Sequence, residues 1–168
     1  MFDFSVATTI DCPPQRVWNY LVDVRRWWLP SNPEHESLEI VGPGDEIALG
    51  TKLRVRERIA GIPGEAMGTI TEFVPGECAT WEASARYRLW RQELSVEEGV
   101  TWSIRRLERG TELAAHVWAR FPDTALAKAF EWLFIHVFRG IAKDRRHAET
   151  ELAYIRAELE KRSGERPA

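Results

Sequence analysis

The chain has 168 residues, 23 Lys and Arg against 26 Asp and Glu, and a net charge of -3. That length fits one domain with a single sizeable core, and the charge balance argues against a general nucleic-acid binder, which needs a basic excess to neutralise phosphates. Two scattered cysteines, Cys12 and Cys78, suggest neither a disulfide framework nor a CxxC site, and no apolar run reaches the ~20 residues that cross a bilayer. No basic region followed by an apolar core opens the chain, so a secretory leader is not expected and a cytoplasmic location is. The outlying number is eight tryptophans, which calls for an aromatic core, an aromatic pocket, or both.

Phe2 to Ile10 alternates as a strand does. It stops at Asp11-Cys12-Pro13-Pro14, which suits a helix start because the first helical turn leaves its N–H groups unpaired and proline has none. Val17, Trp18, Leu21 and Val22 then recur at helical spacing, and Trp27 and Trp28 precede Pro30 in a second short helix. Ser31 to Glu36 reads as a polar loop and Ser37 to Val41 as a strand closed by Gly42-Pro43-Gly44-Asp45. In Thr51 to Ile59, Leu53, Val55, Glu57 and Ile59 share one face, while Lys52, Arg54, Arg56 and Arg58 mark the other as solvated. Further strands are expected over Ala66 to Val74, Cys78 to Ala85, Val100 to Leu107 and Glu112 to Phe121. Tyr87 to Glu98 reads as a strand extension or a hairpin arm with its turn at Glu97-Glu98-Gly99. From Pro122 to Arg162 the apolar residues Leu126, Phe130, Leu133, Phe134, Val137, Phe138 and Ile141, then Ala148, Leu152, Ile155 and Leu159, predict one long amphipathic helix capped by Asp123.

The pattern is α+β: a curved antiparallel sheet of about seven strands wrapped around a long C-terminal helix, with two short helices after the first strand. Residues 1–162 make a single domain and residues 163–168 a flexible tail. A sheet with one apolar face needs a cover, and the long helix supplies it with a cavity between the two.

Several residues carry candidate chemistry. Glu57 lies on an apolar face, where a carboxylate must be paired, protonated or near water; it is either a contact or acid/base group in the cavity, or a strand-end residue reaching solvent. Trp81, Trp102 and Trp118 sit on successive strands and either fill the interior or line a pocket, with the direction of Trp118 and His116 open. Trp27 reads as an anchor for the second helix, and Trp28 as an anchor or a lip of the cavity mouth. His136 falls at the border of the helical stripe, and His35 and His147 read as exposed. Gly140 interrupts the long helix, permitting a bend or a close approach, at about 1 kcal/mol relative to alanine. No phosphate loop, GxSxG serine or metal-ligand spacing is present, so no cofactor and no metal are expected.

Ile10-Asp11-Cys12-Pro13-Pro14-Gln15-Arg16-Val17-Trp18, then Asp23 and Trp27, Gly50-Thr51 before a strand, Gly68-Thr69-Ile70 leading to Phe73-Val74-Pro75, and Gly110-Thr111-Glu112-Leu113 occur in that order before the long helix. Over residues 2–162 this resembles the START-like, Bet v 1-like helix-grip superfamily, also called the polyketide cyclase/dehydrase-like group. The resemblance implies a domain that holds a small hydrophobic or aromatic molecule, lipid, polyketide or isoprenoid-like, between sheet and helix. Strand alternation and helix phase then nominate Trp28, Val55, Glu57, Trp81, Trp102, Phe130, Phe134, Val137 and Phe138 as its lining. Two alternatives stand beside binding. One is a cyclase/dehydratase-type enzyme using Glu57 with His136 or Arg120 as acid/base. The other is a co-chaperone-type interaction module, which predicts a filled core and an exposed apolar patch.

Overall fold

The computed structural model describes residues 1–42, 44, 46–89 and 92–164, with the backbone alone at 89 and 162–164. In chain order the elements are β1 (Phe2–Ile10), α1 (Pro14–Val22), α2 (Val24–Ser31), β2 (His35–Val41), β3 (Lys52–Ile59), β4 (Ile62–Val74), β5 (Cys78–Leu89), β6 (Gln92–Arg106), β7 (Thr111–Arg120), α3 (Ala125–Trp132), a π turn (Leu133–Val137) and α4 (Gly140–Gly164). The seven strands form one sheet in the order β1-β7-β6-β5-β4-β3-β2. Every neighbouring pair is antiparallel. Strands β2 to β7 are a meander, β1 closes onto β7, and α1 and α2 carry the chain from one sheet edge to the other. This is the helix-grip architecture.

Alternation explains which face is inner. Phe2, Phe4, Val6 and Ile10 of β1 are buried, as are Leu53 and Val55 of β3, while Lys52, Arg54, Arg56 and Arg58 are exposed. Helix α4 lies across the inner face and touches β1, α2, β3 and β7. Its buried residues Ala148, Leu152, Ile155 and Leu159 recur at three and four. Each large apolar side chain withdrawn from water in this way stabilises the fold by about 1.5–3 kcal/mol. Trp27, buried against the T-shaped ring of Trp102, donates its indole N–H to the Leu21 carbonyl at 2.9 Å and anchors α2.

Three expectations are corrected. The C-terminal helix is not continuous. Phe138 N–H bonds the Leu133 carbonyl five residues back at 3.0 Å, which makes the π turn, and Arg139 then takes a left-handed φ of 54° before α4 begins. The N-terminal cap of α3 is Thr124, whose hydroxyl accepts from Ala127 N–H at 3.2 Å, in place of Asp123. Glu97-Glu98-Gly99 is the interior of β6, which runs from Gln92 to Arg106, and not a turn. Gly99 marks a close approach instead of a turn: a Cβ there would lie 2.7 Å from the Trp118 indole nitrogen. Helix α4 reaches Gly164, and the rest of the expected tail, residues 165–168, lies outside the described residues.

Candidate functional site

Between the inner sheet face and the α3–α4 segment is a cavity of about 110 Å³. At roughly 10–15 Å³ per water sphere it has room for roughly seven to eleven waters. Part of its wall is a phenylalanine cluster: Phe2 stacks on Phe134 with centroids 5.8 Å apart, and Phe134 stacks on Phe130 at 6.4 Å. Trp81, Trp102, Trp118 and Val55 line the sheet side. The indole N–H of Trp81 is buried and has no acceptor among the described residues.

Another part of the wall is ionisable. A bulge in β2, where the register shifts between His35 and Ser37, sets His35 opposite Glu57 of β3. Helix α4 brings His147 and Glu151, one turn apart, to the same place. His35 Nε2 lies 2.9 Å from His147 Nε2 and 3.0 Å from Glu151 Oε1. Glu57 Oε2 lies 3.3 Å from His147 Nε2 and 3.6 Å from His35 Nε2. His147 and Glu151 also approach, at 3.4 Å. The His35 side chain is fully buried, those of Glu57 and Glu151 are 14% and 13% exposed, and His147, Glu57 and Glu151 all line the cavity.

Both imidazoles are oriented from behind. His35 Nδ1 faces the Trp28 carbonyl, and its ring stacks flat on the Trp28 indole at 3.7 Å. His147 Nδ1 lies 3.1 Å from the Glu34 carboxylate. A carbonyl and a carboxylate only accept, so each Nδ1 carries a proton and each Nε2 points into the cluster. Burial pushes the His147 imidazolium down, but hydrogen bonds to Glu151 and Glu57 outweigh it and lift its pKa to about 11. Burial likewise raises Glu151, and the two histidines overcome it, holding the carboxyl at about 2.

A second group lies along the same wall. Tyr87 donates its hydroxyl to Glu98 Oε2 at 2.6 Å. Burial, joined by the negative charge of Glu57, pushes Glu98 up to about 8. Asp144 on α4 rises to about 7, again by burial, with His147 opposing. The cavity therefore presents carboxyls held in opposite protonation states, one near 8 and one near 2.

Trp28, Val55, Glu57, Trp81, Trp102, Phe130 and Phe134 line the cavity. Val137 is 54% exposed and Phe138 packs on the core outside the lining. The π turn and the Arg139 break reset the helical phase on which both had been placed. His136 and Arg120 are exposed and do not meet Glu57. His116 bonds Ser5 on the outer face at 3.0 Å, and Trp118, whose direction was open, lines the cavity. Sequence reasoning missed His35 and His147. By alternation from Leu38 and Ile40, position 35 points outward, and only the bulge turns it in. His147 and Glu151 adjoin Ala148 and Leu152 on the inner stripe of α4, a one-turn His/Glu pair that could have been read from the spacing.

The family model described as polyketide cyclase/dehydrase and lipid transport matches residues 1–148, and the chain belongs to that family. No curated protein matches it in sequence. Among solved structures it is similar to TTHA0849 from Thermus thermophilus, with a TM-score of 0.71 and 15% identity over 96% of this chain and 99% of that one. It is also similar to the Zhui aromatase/cyclase from Streptomyces sp. R1128, with a TM-score of 0.71 and 18% identity over 96% and 95% of the two chains. Ara h 8.0201 superposes with a TM-score of 0.62 and 15% identity over 95% and 98%. At these identities the shared property is the fold. No helix among the described residues is long and apolar enough to cross a membrane.

Proposed function

We propose that this chain binds a small, largely apolar ring-bearing molecule in the cavity, with a polar group of the ligand turned toward His147, Glu57 and Glu151. The observation that carries this reading is one cavity wall lined by aromatic rings and another by convergent ionisable groups. The cavity supports a binding reading over the co-chaperone-type one, which predicts a filled core. The rings supply apolar burial, and the ionisable wall discriminates for a hydroxyl or carbonyl. The test is tryptophan fluorescence titrated with 2-naphthol and with naphthalene. Saturable quenching is expected for both, with 2-naphthol tighter by about tenfold, equivalent to about 1.4 kcal/mol. Absence of saturation with either compound would overturn the reading.

The opposed protonation states of Glu98 and Glu151 support a second reading, proton transfer on the bound molecule in the manner of a cyclase/dehydratase. A carboxylic acid and a carboxylate in one pocket are what removal of a proton next to a carbonyl, and protonation of the departing or enol oxygen, require. Proton NMR of 2-tetralone in deuterated buffer tests it. Exchange of the protons beside the carbonyl should exceed the buffer rate and be suppressed by 2-naphthol. Exchange at the buffer rate leaves binding alone.

A further inference from the structure

We propose that His35, His147, Glu151 and Glu57 form a binding site for one divalent transition-metal ion of the zinc class. The side chains of His35, His147 and Glu151 offer donor atoms that all lie within 4.8 Å of one another. Glu57 Oε2 joins them at 3.3 and 3.6 Å from the two histidine nitrogens. The separations, 2.9 to 3.6 Å, match the ligand–ligand edges of a tetrahedral or octahedral ion with bonds of about 2.1 Å, which are about 3.0–3.4 Å. Two imidazoles with one or two carboxylates are a donor set for zinc or iron(II) and a poor one for magnesium or calcium, which take oxygen.

The surroundings of the cluster point the same way. Each imidazole has its Nδ1 turned to an acceptor, the Trp28 carbonyl for His35 and the Glu34 carboxylate for His147. With the Nδ1 protons fixed, both Nε2 atoms and two carboxylates converge on one point. A proton on His147 Nε2 occupies that point in the ion-free protein, and a divalent cation would displace it and meet all four donors at once. Backing a metal-bound histidine with a carbonyl or carboxylate is also the arrangement that fixes ligand tautomer and raises ligand basicity. The Trp28 ring stacked on His35 holds that ligand from its face. His35 is sealed from behind, whereas His147, Glu57 and Glu151 border the cavity. In a five- or six-coordinate ion the position left open by these four residues would face the cavity, where it would take an oxygen of the bound molecule. That last step rests on the ligand reading above; ion binding itself does not.

The experiment uses the whole chain, stripped with EDTA, titrated with Co²⁺ alone near neutral pH and followed by its visible absorption. One equivalent of Co²⁺ should bind with the intense bands of a four- or five-coordinate N/O site, and Zn²⁺ should displace it. His35→Gln and His147→Gln keep an amide donor against the carboxylates, and near-UV circular dichroism checks their packing. Both should lose the bands. Glu34→Gln, which loosens the His147 ring without touching the ion, should weaken Zn²⁺ binding by about tenfold. His116→Ala, on the outer sheet face, should bind like the wild type. Failure of the folded wild type to take up stoichiometric Co²⁺, or retention of the bands in a folded His147→Gln protein, would overturn the site. Titration of the stripped protein with 2-naphthol separates this outcome from failure of the ligand reading.

Discussion

Glu98 shows how one buried carboxyl shapes the behaviour of the protein. It sits in β6 beneath the Tyr87 hydroxyl, and the other charges that act on it are Glu57 on β3, Asp144 on α4 and Glu97 beside it. Its pKa in the folded chain is about 8, against an ordinary 4.5. Between those values the native state holds a proton that the unfolded chain has released, so the linkage sign is fixed. The contribution of Glu98 to stability is complete below pH 4.5 and is lost as pH rises through about 8. Glu98→Gln keeps an acceptor for Tyr87 and cannot ionise. Thermal melts should show the variant melting above the wild type beyond pH 8, with the advantage shrinking steadily toward pH 4.5. An advantage independent of pH would show that Glu98 is not the titrating group. Asp144 shifts the same way, to about 7, and adds a slope of the same sign to both proteins.

At the scale of elements, the junction between α3 and α4 joins a left-handed residue to a glycine with no room for a side chain. Arg139 holds a φ of 54°, a left-handed conformation that costs a non-glycine residue about 1–2 kcal/mol. Its neighbour Gly140 has a negative φ but no room: a Cβ there would meet the Phe134 ring at 2.3 Å. The two adjacent positions should therefore respond with opposite signs. Arg139→Gly relieves the backbone, less the extra entropy of glycine in the unfolded chain, for a net gain of about 0.5–1 kcal/mol. Gly140→Ala gains up to about 1 kcal/mol of helix propensity. It must also displace a buried ring packed against Phe2, Phe121 and Phe130, and overpacking of that kind costs about 1–3 kcal/mol. Urea unfolding midpoints should rise for the first variant and fall for the second. A rise in both would mean that the Phe134 ring yields freely. The same junction explains why the helix was only partly legible: the apolar stripe continues through it, so nothing in the periodicity announces the π turn that moves Val137 to the surface and Phe138 out of the lining.

For the molecule as a whole, the sheet was legible because its strands alternate cleanly and each solvated face is charged, as in Lys52, Arg54, Arg56 and Arg58. The ionisable half was legible only in part: Glu57 stood out on an apolar strand face and lines the cavity, a single bulge residue reverses the facing of His35, and His147 and Glu151 were passed over although they adjoin Ala148 and Leu152 on the inner stripe. That division also predicts how the protein opens. Along residues 125–137 only Ala127 and Phe134 are buried, while Leu126, Trp132 and Val137 are 53%, 58% and 54% exposed. Along α4, Ala148, Leu152, Ile155 and Leu159 are all fixed in the core. Local opening free energy follows buried apolar contact, so the α3–π segment should detach while α4 stays on the sheet. Such a detachment uncovers Phe130 and Phe134, which line the cavity, and so opens a path into it. Native-state hydrogen exchange should show the amides of 125–137 exchanging through local openings, orders of magnitude faster than those of 148–159, whose protection should track global unfolding. Saturating 2-naphthol should slow the first set and leave the second nearly unchanged, because a ligand held beneath Phe134 opposes the local opening before it opposes global unfolding. Equal protection of the two segments, or slowing confined to α4, would place the entrance elsewhere.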